Sequence, residues 1–304
     1  MSEIVIRAEG LTRSFGDNIA VDSLDLDICR GELFGLVGPD GAGKTTTMRL
    51  LATLLKPSSG EAFIAGHSIL TEEERIKEKI GYMSQRFGLY EDLTVMENIQ
   101  FYADLYDVPA RDRSPRIERL LGFSNLTPFK DRLAGKLSGG MKQKLGLACA
   151  LIHTPEVLFL DEPTNGVDPV SRRDFWRILY GLLKEDVTIL VSTSYLDEAE
   201  RCTRIGLMHR GRILIKDEPL KVKQSLAYPV VEIWCDSPRS AAEVIRGSAG
   251  VRKVNVYGDR LHVEIESKAE VDAVIEEMRK AVHIKDYREI LPSIEDIFIS
   301  MVEK

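Results

Sequence analysis

Two stretches of this sequence carry residue types that can do chemistry together. In GPDGAGKT, residues 38–45, glycines flank Lys44 and Thr45 at the spacing G-x-x-x-x-G-K-[ST]. Glycine at these places lets backbone N–H groups turn inward around phosphate oxygens. Lys44 can then reach the terminal phosphates, Thr45 can hold Mg²⁺ through its hydroxyl, and a helix starting at Lys44 adds partial positive charge. Gly38, Pro39, Asp40, Gly41, Ala42, Gly43, Lys44, Thr45 and Thr46 are therefore read as a nucleotide-binding loop. Asp40 is out of character, because a carboxylate in a loop built for anions is unfavourable unless it points outward; it is expected to face solvent or a partner and takes no catalytic role. The second stretch is VLFLDE, where Asp161 and Glu162 follow directly on an apolar run. A carboxylate just beyond the C-terminal end of a buried strand lies where sites form in α/β proteins.

The elements that must position these residues can be read from apolar periodicity. Leu33 to Val37 is a compact apolar strand, and Lys44 to Leu55 reads as a helix with Met48, Leu51 and Leu55 on one face, stopped by Pro57 and Gly60. Residues 93–106 and 114–123 look helical, forming a candidate helical subdomain, and a third helix is expected over Gly140 to Ile152. Strands follow at Val157 to Leu160 and Thr188 to Ser192, with a helical start at Tyr195 to Arg201. This alternation predicts an α/β fold. Past Glu218 the texture changes to strand, helix, strand, strand, helix, strand, with a hairpin signal at Gly258-Asp259, which suggests a small ferredoxin-like α+β domain. Residues 1–220 are thus assigned to one domain and 221–304 to a second. The closing helix, Ile294 to Val302, places Ile294, Ile297, Phe298 and Met301 at helical spacing, a pattern of core packing.

The chain has 304 residues, 44% hydrophobic and 29% charged, with a formal charge of -7. That is ordinary globular composition, long enough for two cores. The acidic balance disfavours a chain whose main business is coating nucleic acid, since such affinity comes from Lys and Arg neutralising phosphates. Four widely spaced cysteines, Cys29, Cys149, Cys202 and Cys235, without a CxxC pair, speak against a zinc site or a disulfide framework. The N-terminus has no secretory pattern and no apolar run approaches bilayer length. If the protein serves a membrane, the membrane part is expected on another chain.

The block LSGGMKQKLGLACALIHTPEVLFLDEPTNGVDP, residues 137–169, resembles the signature, Walker B and D-loop of ATP-binding-cassette proteins. With the phosphate loop, Gln85 in GYMSQRFGLYEDLTV and Phe15 in SFGDNIAVD, the resemblance covers residues 4 to about 218. It implies a P-loop NTPase fold of the ABC ATPase type, with ATP and Mg²⁺ as ligands. It further implies that Phe15 stacks on adenine, Asp161 and Thr45 hold Mg²⁺, Gln85 touches Mg²⁺ and the attacking water, and Glu162 is the general base. By the same resemblance Ser138, Gly139 and Gly140 open a helix facing the γ-phosphate held by a second subunit, and Asp168 lies across that head-to-tail dimer interface. FGLYEDLTVMENI, LSGGMKQK, YLDEAE and PSIEDIFISMVEK are similar to ATP-binding subunits of ABC-2 type exporters of drugs, lipids or polysaccharides, many of which carry a C-terminal accessory or regulatory domain. The implied partners are a transmembrane permease on a separate chain, docked at FYADLYDV (101–108), and a second ATP-binding subunit, placing the chain in the cytoplasm at the inner face of the cell membrane.

One position departs from the pattern. Where the family normally has a His contacting the γ-phosphate, in STHYLDEAE, this chain reads STSYLDEAE, with Ser194 in that place. A positioned acid-base or orienting group is typically worth roughly 100- to 10,000-fold in rate. The expectation is that the chain's own site hydrolyses slowly and that an asymmetric heterodimer, rather than a homodimer, is the working form. Competing readings are a soluble cassette ATPase and an ATP-binding regulatory subunit with little turnover. Against the first stands the short interval between Lys44 and Ser138, which leaves no room for a long coiled coil; against the second stand Asp161 and Glu162.

Overall fold

A computed structural model describes residues 3–85 and 88–302. Arg86 and Phe87, inside the GYMSQRFGLYEDLTV and FGLYEDLTVMENI stretches, and Glu303 and Lys304, which end PSIEDIFISMVEK, lie outside the described residues. Internal contacts divide the chain into two compact units, the first ending at Asp217 and the second beginning at Glu218.

The first unit opens on two long strands, β1 (Ile4–Phe15) and β2 (Asn18–Cys29), paired antiparallel. They join β4 (Ser59–Ile64) and β5 (His67–Ser68) in an antiparallel sheet of order β2-β1-β4-β5. Their residues alternate between buried and exposed, as suits a sheet covered on one face. This hairpin is absent from the expected strand-helix alternation. The second sheet holds the apolar runs: β3 (Leu33–Val37), β6 (Ile80–Met83), β7 (Val157–Asp161), β8 (Thr188–Thr193), β9 (Arg204–His209) and β10 (Arg212–Asp217), in the order β10-β9-β3-β8-β7-β6. Every neighbouring pair is parallel except the edge pair β9 and β10. Each residue of β3, β7 and β8 is buried, which explains why these strands read as continuous apolar runs rather than alternating ones.

Helix α1 (Lys44–Leu51) is one turn shorter than the Leu55 boundary expected from periodicity. The chain leaves the helix at Thr53, whose φ is 59°, while the N–H groups of Thr53 and Leu54 bond back to the Leu50 and Arg49 carbonyls. That is a Schellman stop made without glycine, a feature periodicity does not reveal. Helix α2 (Glu73–Lys79) precedes β6, and the helical insert comprises α3 (Val95–Leu105), α4 (Ala110–Phe123) and α5 (Gly139–Leu151). Thr94 and Glu97 form a reciprocal capping box at the start of α3. Helix α6 (Pro169–Leu183) then leads to β8. The stretch expected as a helical start at Tyr195 is instead a 3₁₀ helix over Leu196–Arg201.

The second unit contains α7 (Pro219–Gln224), β11 (Val230–Cys235), α8 (Pro238–Ile245), β12 (Val251–Tyr257), β13 (Arg260–Ile265), α9 (Val271–Ala281), β14 (Ile284–Ile290) and α10 (Ile294–Val302). Its antiparallel sheet runs β12-β13-β11-β14, so its four strands in chain order stand 2-3-1-4, the ferredoxin-like arrangement. Val231 and Ile233 on β11, with Leu261 and Val263 on β13, pack in one core with Ala242 and Ile245 of α8 and Ile275 of α9.

Residues one step out of phase with that core carry charge. Glu232 accepts bonds from Arg260 and Arg288, and His262 lies between Glu232 (3.4 Å) and Asp296 of α10 (3.0 Å). Tyr257 and Ser293 also donate to Asp296. Burial works against charge on His262, but Asp296 and then Glu232 outweigh it and hold the imidazole pKa above its ordinary value. Burial likewise opposes ionisation of Asp296, yet His262 and Ser293 bring its pKa down to about 2. A raised folded pKa means stability that is fully present below the ordinary histidine value and lost as pH rises through the folded one. The Asp296 contribution runs the other way, present above the ordinary aspartate value and lost as pH falls toward about 2. Amide exchange in α10, corrected for intrinsic rate, should therefore lose about three- to ten-fold in protection between pH 6 and 8.5 in the native chain, and H262Q should abolish that dependence. Protection independent of pH in the native chain would show that titration of the imidazole does not govern the stability of α10.

Candidate functional site

Four parallel strands deliver the chemistry-bearing residues to one edge of the sheet. The loop from Gly38 follows β3, Gln85 follows β6, Asp161 ends β7 and Ser194 follows β8. Parallel register sets Asp161 beside Ser192 and Val37 beside Thr193. This is the crevice at strand C-termini where α/β proteins place ligands. The loop's glycines are there for space: a Cβ on Gly38 would sit 2.2 Å from the Met208 carbonyl oxygen, and one on Gly43 would sit 2.3 Å from that of Ala20. Gly43 also takes φ 108°, a left-handed value that favours glycine. No side chain caps α1 and its first turn has no acidic residue, so its N–H groups remain available to an anion.

Lys44 is buried and its Nζ is shared between the carbonyls of Gly38 (2.7 Å) and Pro39 (3.0 Å) and the Glu162 carboxylate (3.0 Å). Glu162 is itself buried and holds a strained φ of 48°. Its N–H donates to Ser192 Oγ at 2.9 Å, and its Oε2 accepts from Gln85 at 3.2 Å and from Asn165 at 3.4 Å. Asp161 Oδ1 accepts from Thr45 (3.0 Å) and Ser192 (2.7 Å), whereas its Oδ2 is buried without a hydrogen-bond partner among the described residues. The neighbouring Tyr82 hydroxyl is buried and makes no hydrogen bond of normal geometry among the described residues, and burial, followed by the Asp161 charge, raises its pKa. A carboxylate oxygen left bare beside a threonine hydroxyl is a donor set suited to Mg²⁺, which binds few carboxylates and completes its shell with water and phosphate.

An open cleft of about 720 Å³ lies over these groups. Phe15, Asp40, Gly41, Gly43, Lys44, Thr45, Thr46, Gln85 and Glu162 all line it. Phe15 is half-exposed, with the Arg13 guanidinium 4.6 Å from its ring centre, and Asp40 is exposed. Gly38, Pro39, Ala42 and Asp161 do not line it; Gly38, Ala42 and Asp161 are buried, and Pro39 is exposed. Ser138, Gly139, Gly140, Asp168 and Ser194 are not among the lining residues. Ser138 caps α5 by accepting from Met141 N, and that helix has no acid in its first turn. Gly140 is needed for packing, since a Cβ there would meet Ser171 of α6 at 2.5 Å. Asp168 caps α6, accepting from Val170 and Ser171, and the hydrogen bonds from Ser171 hold its pKa down. Ser194 is half-buried in the bend after β8.

Sequence reasoning missed Ser192, which braces both Asp161 and the Glu162 backbone, and Asn165, which reaches Glu162. It also missed Arg210, an exposed arginine on the cleft wall with φ 46°. A polar residue at the end of an otherwise apolar strand was the available signal for Ser192.

A parallel sheet whose edge presents a glycine loop, a buried lysine and two carboxylates defines the chain as a P-loop nucleotide-binding protein. Residues 21–165 match the ABC transporter family model, and residues 218–302 match the C-terminal domain of the DrrA1-3-like ATP-binding proteins. The chain is 33% identical over 310 residues to the daunorubicin resistance ATP-binding protein DrrA2 of Streptomyces coeruleorubidus, covering 99% of this chain and 96% of that one. It is 53% identical over 229 residues to the probable multidrug ABC transporter ATP-binding protein YbhF of Escherichia coli K12. That match covers 75% of this chain but only 40% of the relative, so the chain spans less than half the relative's length. A solved dimer of an ATP-binding cassette, in a post-hydrolysis state bound to ADP and Pi, has a TM-score of 0.64 at 25% identity and covers 70% of this chain and 98% of its own. The chain belongs to the family of ABC transporter ATP-binding proteins. No helix among the described residues is long and apolar enough to cross a membrane.

Proposed function

We propose that this chain binds and hydrolyses ATP to power an ABC-2 type exporter whose permease is a separate chain, and that its own hydrolytic site is slowed by Ser194. The observation that carries the reading is the convergence of Lys44, Glu162 and the bare Asp161 oxygen under one cleft edged by Phe15. In this reading Phe15 stacks on the base, the loop N–H groups and Lys44 hold the phosphates, and Thr45 with Asp161 holds Mg²⁺. When bound, that ion draws charge from the phosphate oxygens. Glu162 takes a proton from the attacking water, and Gln85 orients that water. The Lys44 ion pair with Glu162 must open as phosphates arrive, which frees both groups for these tasks.

Ser138 to Gly140 and Asp168 serve a second ATP-binding subunit, as the dimeric state of the cassette neighbour supports. The names of relatives that confer drug resistance or export Nod factor support an outward-moving substrate. The second unit regulates or stabilises the assembly. Single-turnover hydrolysis by the chain alone is expected to run at least about ten-fold slower than by a complex with a second cassette that retains the His, given what one orienting group is worth. Brisk turnover by the chain alone, and no loss when E162Q is introduced only into the partner cassette's equivalent position, would contradict the asymmetric assignment.

A further inference from the structure

Beneath the hydrolytic site lies a carboxylate that phosphate chemistry does not use. Glu198 is fully buried. Its Oε1 accepts from Thr164 Oγ1 (2.8 Å) and Trp176 Nε1 (3.0 Å), with the Arg172 guanidinium 3.6 Å away; its Oε2 accepts from Thr193 Oγ1 (2.7 Å). These donors come from three segments. Thr164 stands two residues beyond Glu162, Thr193 is the residue before Ser194, and Arg172 and Trp176 belong to α6, which Asp168 caps. Burying a carboxylate is costly unless it is satisfied, and an apolar residue would fill the space at less cost. What an apolar residue could not do is fix the direction of several donors at once.

Two of those directions lead to the chemistry. Thr193 Oγ1 donates to Glu198 and so turns its lone pair to the Tyr195 N–H, which donates back to it at 3.0 Å; the bend at Ser194 is thereby set. Thr164, held by Glu198, anchors the turn whose Asn165 N–H bonds to the Glu162 carbonyl at 3.2 Å. The two arms close on each other. Arg172 lies 4.2 Å over the Tyr195 ring, the Tyr195 hydroxyl donates to Asn165 Oδ1 (3.4 Å), and Asn165 Nδ2 donates to Glu162 Oε2 (3.4 Å). Glu162 needs such bracing, because its backbone is in a left-handed conformation that a non-glycine residue keeps only when its surroundings over-determine it.

We propose that Glu198 is a positioning residue for hydrolysis: its carboxylate locks the Glu162 turn, the Ser194 bend and the start of α6 into one block. The inference rests on the assignment of Glu162 as general base. It is tested on the full chain with E198Q, which keeps the shape and removes the charge, and with T193V and T164V, which keep Glu198 and each remove one donor. Single-turnover MgATP hydrolysis, equilibrium ATP affinity and amide exchange across residues 193–199 are measured for each. E198Q and T193V are expected to slow hydrolysis by about 10- to 50-fold, as sub-ångström misplacement of reacting groups does. ATP affinity should stay within about two-fold, because the loop is untouched, and exchange at Tyr195 should accelerate in both variants. Hydrolysis unchanged in either folded variant overturns the proposal, as does a joint fall of rate and affinity that tracks lost thermal stability. If E198Q fails to fold, T193V and T164V decide by the same readouts. A native chain that binds ATP without any hydrolysis would instead sink the assignment of Glu162, whereas a hydrolysing native chain matched by E198Q sinks only this one.

Discussion

Replacing Glu162 with Gln is expected to cut single-turnover ATP hydrolysis by about 100- to 1,000-fold, the lower half of the span of roughly 100- to 10,000-fold that a positioned general base supplies, while ATP binds more tightly. The two effects have separate causes in the geometry. Hydrolysis falls because the amide cannot accept a proton from water, although it can keep the contacts from Gln85 and Asn165. Binding strengthens because the carboxylate occupies Lys44 before nucleotide arrives, at 3.0 Å and with both partners buried. Phosphate must displace that carboxylate and then sit beside its charge. In the variant, Lys44 keeps the Gly38 and Pro39 carbonyls but has no anion, so the nucleotide-free chain is destabilised and bound ATP restores the missing charge. A tightening of about three- to ten-fold corresponds to only about 1 kcal/mol of relieved competition. Rapid-quench hydrolysis and equilibrium binding on the same preparation check both halves. Unimpaired hydrolysis would remove Glu162 from the mechanism, and weaker ATP binding would mean that the ion pair organises the loop rather than competing with phosphate.

What the sequence discloses about such a site depends on how local its determinants are. The phosphate loop is legible because its requirements are steric and contiguous: only glycine escapes the Met208 and Ala20 carbonyls, and the spacing that satisfies them is short. Buried parallel strands are legible for a similar reason, since both faces of β3, β7 and β8 must be apolar. The bracing around Glu162 is not, because Ser192, Asn165, Thr164 and Glu198 converge from separate segments and each is of a type common on any surface. The register that brings Ser192 beside Asp161 is a property of the sheet, not of either segment alone. The same holds for α1, whose stop at Thr53 depends on a left-handed residue with no glycine to announce it. Ser194 is the opposite case: it is visible in the sequence only as a departure from a resemblance, and its surroundings are what give the departure physical content.

Those surroundings make S194H the second large effect, an expected gain in single-turnover hydrolysis by the chain's own site of about 10- to 100-fold, up to the lower end of the range of roughly 100- to 10,000-fold for a positioned orienting or acid-base group. The bend that bears Ser194 is already fixed on both sides, by β8 pairing up to Thr193 and by the Tyr195 N–H bond to the Thr193 hydroxyl. A longer side chain placed there starts from an ordered backbone, so little of its benefit is spent on ordering the segment. Ser194 is only half-buried, which leaves room for an imidazole without disturbing the fully buried Thr193 and Glu198 beneath it. The rival account is that the Tyr195 to Asn165 to Glu162 path already supplies the missing orientation. Its two links are 3.4 Å each, at the weak end of hydrogen bonding, and they steady the base without offering any group to the γ-phosphate. A gain below about two-fold in S194H would favour that rival, since an effect so small lies far under what a newly placed catalytic contact delivers. Combining S194H with Y195F separates the two further: if the contact to phosphate is what the chain lacks, the gain persists after the tyrosine hydroxyl is removed, and if orientation of Glu162 is what matters, removing that hydroxyl slows the native chain and S194H recovers the loss. In a mixed complex the same substitution should change the number of fast-hydrolysing sites from one to two, so that the fast phase of phosphate release in the first turnover doubles while the partner's site keeps its rate.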